Sequence, residues 1–273
     1  MDTVVGLGGA GCRIADEFAK YPQYDVYKID VGLQGENCYA FPQQASHEDY
    51  ERNTPDLTKF FSDVDGYVLF VVGGGGKISG ASLQILRQLR HCKLFVLYIR
   101  PVLSTLNKTA FLQERVVYNV FQEYARSGMF ERLILMSNES LEELAGEVSL
   151  LDANSALNKQ IVNAVHFINV FNHQEPVLNN REPPKDIARL CTFGIQNIRD
   201  GSEKSMFPLD NICDKIYYFA IKEDDLKSDT KLIKTIREHL STNTIRPSYQ
   251  IHSTKYSESF AYFMSFSSFI QSA

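Results

Sequence analysis

Two short apolar runs, residues 4–7 and 67–72, lead without interruption into glycine clusters, and each cluster opens onto apolar residues at helical spacing. The first cluster, "GLGGAG", precedes Ile14, Ala15, Phe18 and Ala19; the second, "GGGGKISGAS", precedes Leu83, Ile85, Leu86 and Leu89. Glycine weakens regular structure, so four in succession imply a backbone that bends sharply or approaches another group closely. Further strands are expected at 24–29, 94–99 and 133–136, with helices at 108–126 and 141–145. Strands alternating with helices predict an α/β fold built on a doubly wound parallel sheet.

Beyond this region, Leu157, Ile161, Val165, Ile168 and Phe171 step by three or four. That spacing predicts one helix over 153–173, roughly 30 Å long at 1.5 Å per residue. Pro176 and the pair Pro183 and Pro184 close the following loop, and a helix entered through proline is expected over 187–198. The remainder reads as strand 216–221, helix 225–240, strand 248–252 and strand 260–266. The expected organisation is an N-terminal nucleotide-binding domain (1–152), a central linking helix (153–174) and a smaller C-terminal α+β domain (175–273).

Composition narrows the function classes. At 273 residues with 44% hydrophobic and 22% charged, the chain is long enough for a substantial core. A formal net charge of −5 argues against nucleic acid as partner. No apolar stretch is long enough for a membrane span and no leader-like segment opens the chain, so a cytoplasmic location is expected. The five cysteines are scattered without a C-x-x-C pair, and neither H-E-x-x-H nor G-x-S-x-G occurs. Reduced thiols, no metal centre and no serine triad are expected.

Gly6, Gly8 and Gly11 satisfy G-x-G-x-x-G between a strand and a helix, with Asp30 near the end of the next strand. In form this is the dinucleotide fingerprint, which favours a nucleotide without choosing one. The second cluster departs from Walker A, since Val71 stands where that motif needs glycine and Ile78 where it needs Ser or Thr. A second backbone nest would suit a polyphosphate held from two sides.

"GLGGAGCRIADEF" resembles the opening glycine loop of FtsZ and tubulin, and "GGGGKISG" resembles a degraded GGGTGTG or GGGTGSG signature of that family. "LILMSNESL" is similar to the family's strand and loop that present an asparagine to guanine, here Asn138. "SLLDANSALNKQIVNAV" is similar to the start of its long central helix, whose base-holding positions fall on Asn154 and Asn158. "KIYYFAIKEDD" and the closing strands follow the order of its C-terminal domain, so the resemblance covers nearly the whole chain.

The resemblance implies a divergent tubulin/FtsZ-like protein that binds GTP or GDP, with Mg2+ as a companion ion, and self-associates head to tail into cytoskeletal filaments. Its nucleotide-binding residues would be Gly8, Gly9, Ala10, Gly11, Cys12, Gly74, Gly75, Gly76, Lys77, Ser79, Asn138 and Asn158. Several positions depart from the family pattern. Asn154 replaces a stacking aromatic, Lys77 a threonine and Ile78 a glycine; the segment 101–109 lacks the family's acid and arginine. Residues 41–49 lack the loop that closes over the terminal phosphate. In the loop "NNREPPKD", Glu182 and Asp186 are the candidate catalytic carboxylates, and GTP hydrolysis is expected to be weak, assembly-dependent or absent. The alternatives are a non-hydrolysing structural or interaction protein on the same fold, and an NAD(P)-dependent oxidoreductase built on Gly6, Gly8, Gly11 and Asp30.

Overall fold

A computed structural model describes residues 1–146, 149, 152–241, 245 and 248–272. The chain divides into two compact units, Met1–Val162 together with Ile270–Ala273, and Asn163–Phe269.

The first unit opens with β1 (Thr3–Leu7), α1 (Gly8–Phe18), β2 (Asp25–Asp30), β3 (Cys38–Ala40) and α2 (His47–Arg52). β4 (Tyr67–Gly73) follows, then a 3-10 turn (Lys77–Ala81), α3 (Ser82–Gln88), β5 (Lys93–Arg100), α4 (Lys108–Arg126), β6 (Arg132–Ser137) and α5 (Asn138–Ala145). The next helix, α6 (Ala153–His173), begins in this unit and ends in the second. The strands described in the first unit are ordered β3-β2-β1-β4-β5-β6, and every neighbouring pair is parallel.

The central strands are buried on both sides, which explains their uninterrupted apolar text. All five residues of β1 are buried, as are Val68 to Val72 of β4. Helix α1 buries Ile14, Ala15 and Phe18, the stripe its spacing predicts. Asn107 caps α4 by accepting from the Ala110 amide at 2.9 Å, and Ser46 caps α2 from the Asp49 amide at 3.1 Å. The strand order reverses direction between β1 and β4. In open α/β sheets the crevice at the carboxyl ends of two such strands is where ligands collect.

The second unit contains β7 (Leu178–Asn179), β8 (Leu190–Gln196), β9 (Glu203–Ser205), β10 (Ile212–Lys222), α7 (Glu223–Ser228), α8 (Leu232–Ser241), β11 (Ser248–Thr254) and β12 (Phe260–Ser267). Its sheet runs β9-β8-β12-β10-β11-β7, with β10 and β11 parallel and the other pairs antiparallel. Tyr217, Phe219, Ile221, Ile236, Leu240 and Phe263 form its core between sheet and α8.

Two sequence expectations are corrected here. The helix expected over 187–198 is strand β8: Leu190 to Gly194 are buried in succession, while Ile187 is 68% exposed. A short apolar run fits either period, and pairing with β12 decides it for strand. Gly194 belongs to that pairing, because a Cβ there would lie 2.1 Å from the Phe263 ring opposite. The single helix expected over 225–240 is two, α7 and α8. Asp229 separates them, its Oδ1 accepting from the Lys231 amide at 2.9 Å, a side-chain turn that competes with helix. No helix among the described residues is long and apolar enough to cross a membrane.

Candidate functional site

A pocket of about 290 Å³ lies in the first unit at the carboxyl ends of β1 and β4. Gly8, Gly9 and Ala10 of α1 form one wall and Gly73 to Gly76 another. Ile99 and Pro101 close it from the end of β5, and Asn138, Asn154 and Asn158 reach it from the starts of α5 and α6.

The glycines have separate tasks. Gly8 has φ +70, where side chains are strained, and a Cβ there would lie 2.6 Å from Ile78 Cγ2. Gly11 lets α1 rest on β4, since its Cβ would meet the Val71 carbonyl oxygen at 2.4 Å. Gly74 donates its amide to the Ile99 carbonyl at 3.0 Å, and its Cβ would meet the Tyr98 hydroxyl at 2.0 Å. Gly75 and Gly76 are exposed. The first turn of α1 carries no acidic residue of its own, and the nearest carboxylate to it is Asp30 at the end of β2, whose Oδ2 lies 3.8 Å from the point a Gly9 Cβ would occupy.

Beneath Gly74 lies a buried polar cluster. Glu114 of α4 is fully buried, and its Oε1 accepts from the Tyr98 hydroxyl at 3.1 Å and from Arg100 Nε at 3.2 Å. The Arg100 guanidinium also sits 4.3 Å from the Tyr118 ring centroid. Burial raises the Glu114 carboxyl above its ordinary value, outweighing the opposing pull of Arg100 and of the hydrogen bonds. Burial, reinforced by the Glu114 charge, holds the Tyr98 phenol well above its usual value.

Of the residues singled out in sequence, Gly8, Gly9, Ala10, Gly74, Gly75, Gly76, Asn138 and Asn158 line this one pocket. Asn138 and Asn158 are half-buried, and neither they nor Asn154 makes a side-chain hydrogen bond among the described residues. Their amides therefore face the pocket with donors and acceptors to offer.

The other named residues are placed differently. Gly11 packs on β4, as above. Cys12 is buried, with Sγ 3.5 Å from the Gly6 carbonyl and 3.6 Å from that of Ile29. Burial first, and then the Asp30 charge, push this thiol up to about 12, so it remains protonated. Lys77 Nζ donates to the Ala45 carbonyl at 2.8 Å, tying the glycine turn to the segment before α2. Ser79 closes the 3-10 turn, donating both its amide and its hydroxyl to the Gly76 carbonyl, at 3.1 and 2.7 Å. Asp30 does not line the pocket, and its Oδ1 accepts from the Val31 amide at 2.8 Å.

Glu182 and Asp186 belong to the second unit and are exposed. Their loop is tied to β11: the Asn180 amide donates to the Tyr249 carbonyl at 3.0 Å, and the Glu182 amide to Ser248 Oγ at 3.1 Å. Among the described residues no carboxylate lines the pocket of the first unit. Among the described residues no group of three or more His, Cys, Asp or Glu is arranged to hold a metal ion. Mg2+ would fit here only as a companion of bound phosphates, keeping several of its waters.

Sequence reasoning missed Arg13, which lines the pocket from α1, and the Tyr98, Arg100 and Glu114 cluster. A signal for Glu114 does exist in the sequence: it falls in register with Val117, Tyr118 and Phe121, a carboxylate on an otherwise apolar stripe.

No protein-family model and no curated protein sequence matches the chain. Solved structures do. A GTPγS-form protofilament of TubZ from Bacillus thuringiensis serovar israelensis aligns with TM-score 0.69 and 14% identity, covering 97% of this chain and 86% of that one. A point mutant of FtsZ from M. jannaschii aligns with TM-score 0.70 and 12% identity, covering 97% and 90%. A GTPγS-bound protofilament of CetZ2 from Haloferax volcanii aligns with TM-score 0.62 and 15% identity, covering 97% and 92%. With nearly the whole chain superposed in each case, this protein has the tubulin/FtsZ-like fold.

Proposed function

We propose that the first unit binds GTP or GDP and that the bound nucleotide governs head-to-tail self-association into filaments, with hydrolysis slow or absent. The observation that carries this reading is the convergence of two glycine turns and three unengaged carboxamides on one pocket. The amides of Gly8 to Ala10 and of Gly74 to Gly76 supply donors for phosphate oxygens. Asn138 and Asn158 each offer both a donor and an acceptor to a purine edge, and guanine presents the complementary pair. The TubZ and CetZ2 neighbours are protofilaments in GTPγS forms, which supports the same reading for this chain.

A pocket without a carboxylate lacks a group to position the attacking water. Glu182 and Asp186 of a second copy are our candidates for that role, so turnover would require contact between copies. Each defect in positioning costs rate steeply, about a hundredfold for an ångström.

A second reading, a structural protein that no longer binds nucleotide, is favoured by Ile78. Its Cγ2 methyl packs toward Gly8, between the two glycine turns, and the cavity of about 290 Å³ lies at the lower end of ligand-pocket sizes.

Calorimetric titration with GTP, GDP and ATP separates the two readings. Guanine nucleotides are expected to bind more tightly than ATP, and Asn138→Ala and Asn158→Ala to erode that preference. Any GTPase activity is expected to rise more than linearly with protein concentration and to vanish in Glu182→Ala or Asp186→Ala while GTP still binds. Equal affinity for ATP and GTP would refute the assignment of the base site. Constant specific activity in dilute monomer would refute the shared catalytic site.

A further inference from the structure

Among the described residues Arg13 is the only charged side chain lining the pocket, and the two acids that its own helix places within reach are engaged elsewhere. On a helix the carboxylates within its reach are those three and four positions on, here Asp16 and Glu17. Asp16 pairs with Lys28 at 2.7 Å and Glu17 with Lys20 at 2.6 Å. Asp30 is the remaining acid nearby: its Oδ2 lies 3.8 Å from the point a Gly9 Cβ would occupy, yet among the described residues Arg13 forms no ion pair with it or with any other carboxylate, so a phosphate held here would meet the guanidinium with Asp30 beside it.

The direction of the side chain matters as much as its freedom. Helical side chains lean toward the N-terminus of their helix, so Arg13 is carried back over the first turn of α1. Its Nη1 lies 3.4 Å from the point a Gly9 Cβ would occupy, beside the glycines that form the wall. The guanidinium thus stands at the helix end whose amides already favour an anion. Lys77, the other cation of the glycine turns, has its ammonium on the Ala45 carbonyl.

The geometry points to Arg13 as a polyphosphate-binding residue: its guanidinium meets phosphate oxygens of the nucleotide alongside the amides of Gly8 to Ala10. This rests on the nucleotide reading above and adds a charged, side-chain donor to a phosphate wall otherwise built from the backbone of two glycine turns. A planar guanidinium suits that task because two of its donors can meet two oxygens of one phosphate.

The test titrates wild type, Arg13→Lys and Arg13→Gln with three probes: GTP, guanosine and inorganic tripolyphosphate. Arg13 is exposed, so both variants are expected to keep the wild-type melting temperature and circular dichroism. Loss of a charge-assisted contact should weaken GTP and tripolyphosphate in Arg13→Gln roughly ten- to hundredfold. Guanosine should be unaffected, and Arg13→Lys should recover part of the loss. If wild type ignores GTP but binds tripolyphosphate through Arg13, the guanine reading falls and the Arg13 assignment stands. Three results overturn the assignment: equal GTP affinity in wild type and Arg13→Gln, an equal loss for guanosine and GTP, or no binding of either anion by wild type.

Discussion

Gly74 and Gly75 are neighbours in one glycine string, yet alanine at the two positions should have opposite consequences. At Gly74 the new methyl would lie 2.0 Å from the Tyr98 hydroxyl, 2.8 Å from its Cζ and 3.1 Å from the Glu114 side chain. None of these atoms is the loose end of a flexible chain, since Tyr98 and Glu114 are fully buried. Relief requires the phenol ring to move, and that movement breaks its 3.1 Å hydrogen bond to Glu114. Overpacking a core costs about 1 to 3 kcal/mol. A hydrogen bond to a charged group is worth about 1.5 to 3 kcal/mol. Gly74→Ala should therefore lose about 2.5 to 6 kcal/mol, a large part of a typical domain's ~5 to 15 kcal/mol.

At Gly75 the nearest atoms to the new methyl are Pro101 Cβ and Cγ at 3.6 and 3.8 Å, ordinary contact, and the backbone is not in the left-handed region. Gly75→Ala should fold with wild-type stability and differ only in what the pocket accepts; Gly75→Val, bulkier and β-branched, should abolish nucleotide binding on the same fold. Urea unfolding followed by circular dichroism reads the stability difference, and calorimetry with GDP reads the pocket. A Gly74→Ala protein as stable as wild type, or a Gly75→Ala protein destabilised as much as Gly74→Ala, would refute the contact argument.

Two further predictions follow from buried titratable groups. Arg100→Met or Glu114→Met alone should each cost about 3 to 5 kcal/mol by stranding the partner charge, whereas the double variant should cost much less, measured by urea unfolding in a double-mutant cycle. His252 is buried against the Phe171 ring at 4.6 Å, and burial holds it down at about 4, below its ordinary 6.5. The unfolded chain takes up this proton first as pH falls, so stability should drop between about pH 6.5 and 4 and level below that. His47 and His166, also held down by burial, add to the slope, so His252→Gln should flatten the pH dependence of the unfolding midpoint in part.

The first unit was legible because its central strands β1 and β4 are buried on both faces and each runs into glycine, so pattern and punctuation agree there. The second unit was less so. Residues 190–196 contain apolar side chains that fit a helix stripe as well as a two-sided strand, and only the partner strand β12 settles which. The break between α7 and α8 depends on one aspartate turning back on its own backbone, a choice that residue type permits but does not impose.

At the site, the glycines could be read because backbone geometry restricts residue type so severely: Gly8 needs a positive φ, and Gly11 and Gly74 touch backbone or a buried ring. Cations carry no such restriction. Lys77 and Arg13 both stand beside glycine turns in the sequence, and the lysine draws attention first because it directly follows four glycines, although the spacing is not that of Walker A. A long flexible stem lets a lysine reach in many directions, and here a carbonyl at Ala45 holds it. Arg13 is constrained instead by helix geometry, which returns its side chain to the first turn, and by neighbours that have satisfied its natural partners. Which cation serves an anion site is thus set by what else each can reach, a property of the folded neighbourhood rather than of the motif.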